Sequence, residues 1–155
     1  MPAKRALALD LGTTFGYARS GRDDGKLTYG SVKLKTKPTE HKGKRYDQFD
    51  AWLAYVLPDV SIVYYEEVRR HIGTAAAHMY GGYQALLLAK AFQVGIPVVG
   101  VNVGTIKKFA TGRGNASKDE MIAAAKALGY NPQDDNAADA IHILRCGLAQ
   151  ENSNA

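Results

Sequence analysis

The sequence predicts an α/β fold with a mixed five-stranded sheet and helices on both faces. Short apolar runs separated by turn residues occupy the first part of the chain and predict an antiparallel meander. Helical and strand periodicities then alternate, which is typical of parallel strands joined by helices. A length of 155 residues with 46% apolar residues fits one domain with a substantial core. In this order of elements, the first strand lies centrally in the sheet.

Three strands are predicted at the start of the chain, over 5–11, 15–20 and 27–34. The first is apolar until Asp10, and Gly12-Thr13-Thr14 then turn the chain. Asp23-Asp24-Gly25 marks a hairpin turn between the second and third strands. Residues 35–43 are polar and predict a loop.

The remainder of the chain predicts helices in alternation with strands. Apolar residues at helical spacing from Tyr46 to Val56 predict a first helix that ends before Pro58. We expect further elements over 60–65 (strand), 73–94 (helix), 96–101 (strand), 117–128 (helix) and a last helix to 148. Asp134 or Asp135 suits the N-cap of the last helix. Residues 5–148 then form a single domain, and 149–155 a frayed tail.

A net charge of +5 and an isoelectric point near 9.3 favour a polyanionic substrate. One basic cluster could equally be a solvated surface, but several clusters at strand ends are harder to explain in that way. The clusters are Lys33, Lys35, Lys37, Lys42, Lys44 and Arg45, then Arg69, Arg70 and His71, and finally Lys107, Lys108, Arg113 and Lys118.

The chain has no apolar run near the roughly 20 residues that a membrane span requires. Its start, Met1-Pro2-Ala3-Lys4-Arg5, leads into a strand and does not resemble a signal peptide. We therefore expect a cytoplasmic protein. Cys146 is the sole cysteine, so it cannot form an internal disulfide, and it belongs to no zinc-type spacing.

Acidic residues stand at the ends of three apolar segments. Asp10 ends the first strand, Glu66 and Glu67 end the fourth, and Asp139 follows the start of the last helix. A buried carboxylate is costly unless a partner compensates its charge. A divalent cation shared by distant carboxylates is the simplest compensation, and oxygen ligands suit Mg²⁺ and Mn²⁺. The pattern thus predicts a metal-dependent phosphoryl-transfer enzyme.

Each acidic residue also has a structural explanation. Asp10 could bond the turn that follows it. Strand alternation sends Glu66 and Glu67 to opposite faces of the sheet, and the pattern alone does not choose between them. Asp139 lies opposite the apolar stripe of its helix, where a solvated residue also fits, and Asp135 suits an N-cap as well as a ligand.

Four stretches of the sequence together carry a family resemblance. They are Leu9-Asp10-Leu11-Gly12 with Gly16-Tyr17-Ala18, Tyr65-Glu66-Glu67-Val68, Asn136-Ala137-Ala138-Asp139-Ala140, and the pair Lys107 and Lys118. With the element order, these stretches resemble the ribonuclease H-like superfamily and, more closely, the RuvC family of Holliday junction resolvases. The resemblance covers residues 5–148.

The resemblance implies a homodimeric, structure-selective endonuclease that resolves four-way and related branched DNA by paired nicks. It further implies two Mg²⁺ ions per active site, replaceable by Mn²⁺, with Asp10 bridging them. The implied catalytic residues are Asp10, Glu66, Asp135, Asp139, Lys107 and Lys118, of which the four acidic residues bind metal. The implied DNA-binding residues are Arg69, Arg70, Lys107, Lys108, Arg113 and Lys118.

The chain departs from the bacterial members of the family at two positions. Asn136 stands where they carry Asp or His, so either Asn136 or Asp135 is the fourth metal ligand; Asp135 shares a helix face with Asp139. Arg69 replaces an aromatic residue that stacks in the opened junction, and arginine can stack or bind phosphate. These departures favour a phage or prophage relative.

Two other functions compete with this interpretation. The stretch Asp10–Thr14 also resembles the phosphate-binding opening of actin-like ATPases, although those folds need a second domain of the same kind. The chain could alternatively be a branched-DNA-binding protein whose active site has decayed at Asn136. For a dimer, the predicted helix over 73–94 offers small residues at 75–77 and 81–82 that permit close contact.

Overall fold

The computed structural model describes residues 5–21, 24–34, 36–69, 71 and 73–154. Its strands are β1 (Arg5–Asp10), β2 (Thr14–Ser20), β3 (Leu27–Lys33), β4 (Val60–Glu67) and β5 (Val98–Asn102). Its helices are α1 (Lys44–Val56), α2 (Thr74–Val94), α3 (Val103–Thr111), α4 (Lys118–Ala127) and α5 (Asp135–Ser153). A single 3₁₀ turn, Leu57–Asp59, joins α1 to β4.

The strands form one mixed sheet in the order β3-β2-β1-β4-β5. β1 is antiparallel to β2 and parallel to β4, while β5 is parallel to β4. The prediction of a five-stranded mixed sheet with a central first strand is therefore confirmed. Because β1 and β4 run in the same direction, their carboxyl ends meet at one edge of the sheet.

Side-chain alternation along the strands separates two apolar cores. Leu7 and Leu9 of β1 pack with α1 and α2 on one face, whereas Ala6 and Ala8 pack with α3, α4 and α5 on the other. The same alternation in β4 sends Tyr65 toward α2 and Tyr64 toward α5. The helices thus cover both faces, as predicted.

Some boundaries differ from the sequence-based expectations. α3 was not expected; it begins at an N-cap, Asn102, whose Oδ1 accepts hydrogen bonds from the backbone N–H of Gly104 and Thr105 at 2.9 and 3.4 Å. β5 begins at Val98, not residue 96. The segment expected as a frayed tail is helical through Ser153, because Tyr64 donates a 2.7 Å hydrogen bond to Glu151.

Some predicted positions lie outside the described residues, among them Asp23 of the hairpin turn, Lys35 of the first basic cluster and Arg70 of the second. Over the described ranges, no helix combines the length and apolar character needed to cross a membrane.

Candidate active site

Asp10 and Glu66 lie side by side at the carboxyl edge of the sheet. Leu9 pairs with Tyr65 in the parallel β1–β4 ladder, so the next residue of each strand is Asp10 and Glu66. Both belong to the face that α5 covers. Glu67 points to the opposite face, where its Oε2 lies 3.2 Å from the position that a Cβ on Gly100 would take. Because side chains alternate between the two faces of a sheet, Glu66, and not Glu67, lies on the same face as Asp10.

The start of α5 brings the carboxylates of Asp135 and Asp139 to this edge, while Asp134 caps the helix. Asp134 is the N-cap, and its Oδ1 accepts a 2.8 Å hydrogen bond from the backbone N–H of Ala137. Its Oδ2 accepts a 2.6 Å hydrogen bond from Ser31 on β3. Asp135 is the first residue of the helix, so the N-cap role considered for it is wrong. Asp135 and Asp139 are four residues apart and share one helix face.

The surroundings of Asp139 also differ from the expected arrangement. Sequence reasoning placed it opposite a single apolar stripe, but α5 is buried around most of its circumference from Ala137 to Gly147. Asp139 occupies the side that faces the other carboxylates, whose charges act on it. It is therefore not a solvated residue on an open helix face.

Gly16 on β2 allows α5 to approach the sheet this closely. It pairs with Asp10 across the β1–β2 ladder. A Cβ on Gly16 would lie 1.9 Å from the backbone oxygen of Asn136 and 3.2 Å from the nitrogen of Ala137. Only a residue without a side chain fits there. An isolated glycine in a strand is the sequence signal for such a close backbone approach.

The carboxylates raise one another's pKa values. Burial is the main cause that raises the pKa of Asp10 well above its usual range, followed by the charges of Glu66 and Asp139, a hydrogen bond with Glu66 and the charge of Asp135. Burial, Glu66 and Asp135 raise the pKa of Asp139 to about 7, although Lys107 and Lys118 oppose this rise. The site therefore concentrates negative charge that nearby lysines only partly compensate.

This donor set fits a hard divalent cation. Within the described part of the chain, no three His, Cys, Asp or Glu side chains are already grouped as a complete metal-binding site. The converging groups are nevertheless all carboxylates, which are the ligands that Mg²⁺ and Mn²⁺ prefer. Burial and mutual repulsion raise the pKa values of Asp10 and Asp139, and a bound cation would compensate both effects.

Lys107 and Lys118 flank the carboxylates. Lys107 is half-buried on α3, and its charge acts on Asp139. Lys118 is the first residue of α4, whose N-cap Ser117 accepts a hydrogen bond from the N–H of Glu120. The Nζ of Lys118 lies 3.5 Å from Oδ2 of Asp135. Both lysines are therefore at the acidic edge.

The other basic residues named by the resemblance lie in varied settings. Arg69 follows β4 and is exposed, as is Lys108 on α3. Arg113 forms an exposed ion pair with Glu120. Arg70 lies outside the described residues.

Comparison with known proteins finds relatives of this chain both by sequence and by structure. No protein-family model matches the chain. The crossover junction endodeoxyribonuclease RuvC of Chloroflexus aggregans is 30% identical over 151 residues, which cover 92% of this chain and 91% of that protein. The protein of the same name from Anaeromyxobacter dehalogenans is 31% identical over 150 residues, which cover 93% of this chain and 80% of that protein.

Solved structures share the fold. The structure of T. thermophilus RuvC in complex with Holliday junction substrate matches with a TM-score of 0.82 and 23% identity, covering 97% of this chain and 96% of that chain. The yeast mitochondrial Holliday junction resolvase Ydc2 matches with a TM-score of 0.63 and 17% identity, covering 94% of this chain and 78% of that chain.

Proposed function

The chain belongs to the RuvC family of crossover junction endodeoxyribonucleases, and on that premise we propose that it resolves Holliday junctions and related branched DNA. The reaction is paired, metal-dependent phosphodiester hydrolysis. One observation carries the proposal: Asp10, Glu66, Asp139 and Asp135 converge at one edge of the sheet, where burial and their mutual charges raise the pKa values of Asp10 and Asp139.

We propose that these carboxylates hold two Mg²⁺ ions, for which Mn²⁺ can substitute. Asp10 would contribute to holding both ions, Glu66 would hold one of them, and Asp139 would hold the other. Bound cations would supply activation of the attacking water and stabilisation of the leaving oxygen. The chain's own contribution is a preformed concentration of negative charge on three rigid elements, β1, β4 and α5.

Asp135 is the proposed fourth ligand, in preference to Asn136. Asp134 supplies the N-cap, which leaves the Asp135 carboxylate available to the site. Its charge acts on both Asp10 and Asp139. The backbone of Asn136 is committed to the contact with Gly16, and its amide brings no charge to the cations.

The basic residues have proposed roles toward the DNA backbone. Lys107 and Lys118 flank the carboxylates and would offset phosphate charge during hydrolysis. The remaining DNA contacts are assigned to Arg69, Arg70, Lys108 and Arg113. The Arg113–Glu120 ion pair is exposed and screened by solvent, so a phosphate can replace its carboxylate.

A homodimer completes the proposal. Gly81, Ala85, Leu88 and Phe92 recur every three or four residues along α2 and are all exposed. Phe92 is 86% exposed and Leu88 is 45% exposed. An exposed apolar stripe with small residues supports close helix contact across a two-fold axis, which would give two identical sites on one junction.

The direct test is incubation of labelled four-way junction, duplex and single-stranded DNA with the protein in Mg²⁺, Mn²⁺, Ca²⁺ or EDTA. We expect cleavage of the junction in Mg²⁺ and Mn²⁺, and none in EDTA. Tight junction binding without cleavage in any metal would instead favour the binding protein with a decayed active site.

A further inference from the structure

The loop between β3 and α1 leaves the sheet at the end that carries the acidic site. Lys33, the last residue of β3, pairs with Thr14, the first residue of β2. The backbone N–H of Leu34 then donates a 2.6 Å hydrogen bond to the carbonyl of Thr13, in the turn after Asp10. Residues 36–45 therefore lie at the edge of the sheet where the carboxylates meet.

A cavity of about 630 Å³ opens between this loop and the first turns of α2. Its lining includes Lys37, Lys42, Arg45, Tyr46, His78 and Met79. Glu40 is the acidic residue among the lining residues, and its carboxylate pairs with Lys44 and accepts a 2.9 Å hydrogen bond from the backbone N–H of Lys37. The cavity thus retains an excess of positive charge.

Arg45 is half-buried in this cavity and is held by neutral groups. Its Nε donates a 3.2 Å hydrogen bond to Oγ1 of Thr36, and its Nη1 lies 3.2 Å from the sulfur of Met79. No ion pair joins Arg45 to a carboxylate within the described ranges of the chain. The planar donors of a guanidinium suit phosphate, so Arg45 offers a site for an anion.

Met79 connects the cavity with the acidic site. Its sulfur accepts a 2.9 Å hydrogen bond from the hydroxyl of Thr13, on the turn that directly follows Asp10. The same sulfur also lies 3.2 Å from Nη1 of Arg45. A polyanion that reaches Asp10 would therefore have its neighbouring charges within reach of the cavity.

We propose that this cavity binds the sugar-phosphate backbone of a DNA arm beside the cleavage site, with Arg45, Lys37 and Lys42 contacting phosphates. The inference rests on the proposed function and adds a phosphate-binding site to it. The volume exceeds that of a single phosphate group, which favours a continuous polynucleotide over a free ion.

The test is the salt dependence of binding to a labelled four-way junction, measured with Ca²⁺ in place of Mg²⁺. Arg45→Gln should weaken binding by about 3-fold or more and lower the slope of log Kd against log salt by about 0.9, the value for one lost phosphate contact. Arg45→Lys should retain most of the slope. Lys37→Gln/Lys42→Gln, at exposed positions, gives a second test that does not perturb the packing around Arg45.

Lys26→Gln is the matched control, because Lys26 is exposed in the β2–β3 connection at the opposite end of the sheet. It should leave affinity and slope close to wild type. Equal effects of Lys26→Gln and the cavity variants would reflect net charge alone and overturn the site. If the wild-type protein binds and cleaves junctions and the cavity variants bind them equally well, the proposed phosphate-binding cavity is wrong but the proposed function stands. A wild-type protein that neither binds nor cleaves them overturns the proposed function as well.

Discussion

The backbone of Gly16 on β2 lies against the carbonyl of Asn136 at the start of α5, with room for no side chain between them. A Cβ at position 16 would stand 1.9 Å from that oxygen. This contact holds the first turn of α5 against the end of the sheet. The positions of Asp135 and Asp139 relative to Asp10 therefore depend on a residue that carries no functional group.

Gly16→Ala should reduce cleavage more than it reduces folding. The added methyl group must displace α5, which we expect to cost about 1 to 3 kcal/mol of stability. The accompanying shift of Asp135 and Asp139 should slow single-turnover cleavage by about 100-fold at a temperature where the variant is folded. Gly114→Ala is the control, because a Cβ there meets nothing closer than 3.7 Å. Wild-type cleavage by a folded Gly16→Ala variant would show that this contact does not position the site.

Asp10→Asn, Glu66→Gln and Asp139→Asn should each abolish cleavage while leaving junction binding intact or tighter. Each removes a proposed metal ligand and also removes negative charge that repels DNA. Glu67→Gln is the matched control, because Glu67 points to the opposite face of the sheet. Cleavage rates and binding affinities of the four variants should be measured in parallel. Near wild-type cleavage by one of the first three would remove that residue from the site.

The fourth ligand can be identified from cleavage rate against Mg²⁺ concentration. Asp135→Asn should raise the Mg²⁺ requirement severalfold or abolish turnover, because it neutralises a carboxylate whose charge acts on Asp10 and Asp139. Asn136→Ala should be mild. The opposite pattern, together with preserved or improved activity of Asn136→Asp, would assign the ligand to Asn136.

Stability of the metal-free protein should depend on the ionisation of Asp139. Burial, followed by the charges of Glu66 and Asp135, raises the pKa of Asp139 from its ordinary value of 3.8 to about 7, so the folded state binds the proton more tightly than the unfolded state. The contribution of Asp139 to the free energy of unfolding is therefore fully favourable below about pH 4 and is lost as pH rises toward 7. In EDTA, Asp139→Asn should match wild type near pH 4 and exceed its melting temperature near pH 8.

Melting curves of both proteins across this pH range, with and without Mg²⁺, check this dependence. Mg²⁺ should raise the melting temperature of wild type more than that of Asp139→Asn, since a bound ligand stabilises the state that binds it. Asp119→Asn, at an exposed position on α4, serves as the control. A difference between wild type and Asp139→Asn that does not grow with pH would contradict the buried, repelled carboxylate described here.

Sequence periodicity was sufficient for the sheet because its strands alternate regularly and have clear turns between them. It did not reveal α3, a short helix whose start depends on the Asn102 cap, or the continuation of α5, which depends on the distant contact between Tyr64 and Glu151. The strand pattern alone did not choose between Glu66 and Glu67; the family resemblance selected Glu66, and the register with β1 brings Glu66 beside Asp10. The contact between Gly16 and Asn136 could not be predicted from the sequence, because it depends on where α5 packs on the sheet. Phage origin and the homodimer stay predictions.

Junction resolution by this protein can be tested by mapping the nicks on a four-way junction labelled in turn on each of its strands. In Mg²⁺, we expect paired nicks at symmetric positions on two opposing strands, which separate the junction into two duplexes. Asp139→Asn should give none of these products under the same conditions. Unpaired cuts distributed equally over junction, duplex and single-stranded DNA, or an intact junction after incubation with folded wild-type protein, would show that the protein is not a junction resolvase.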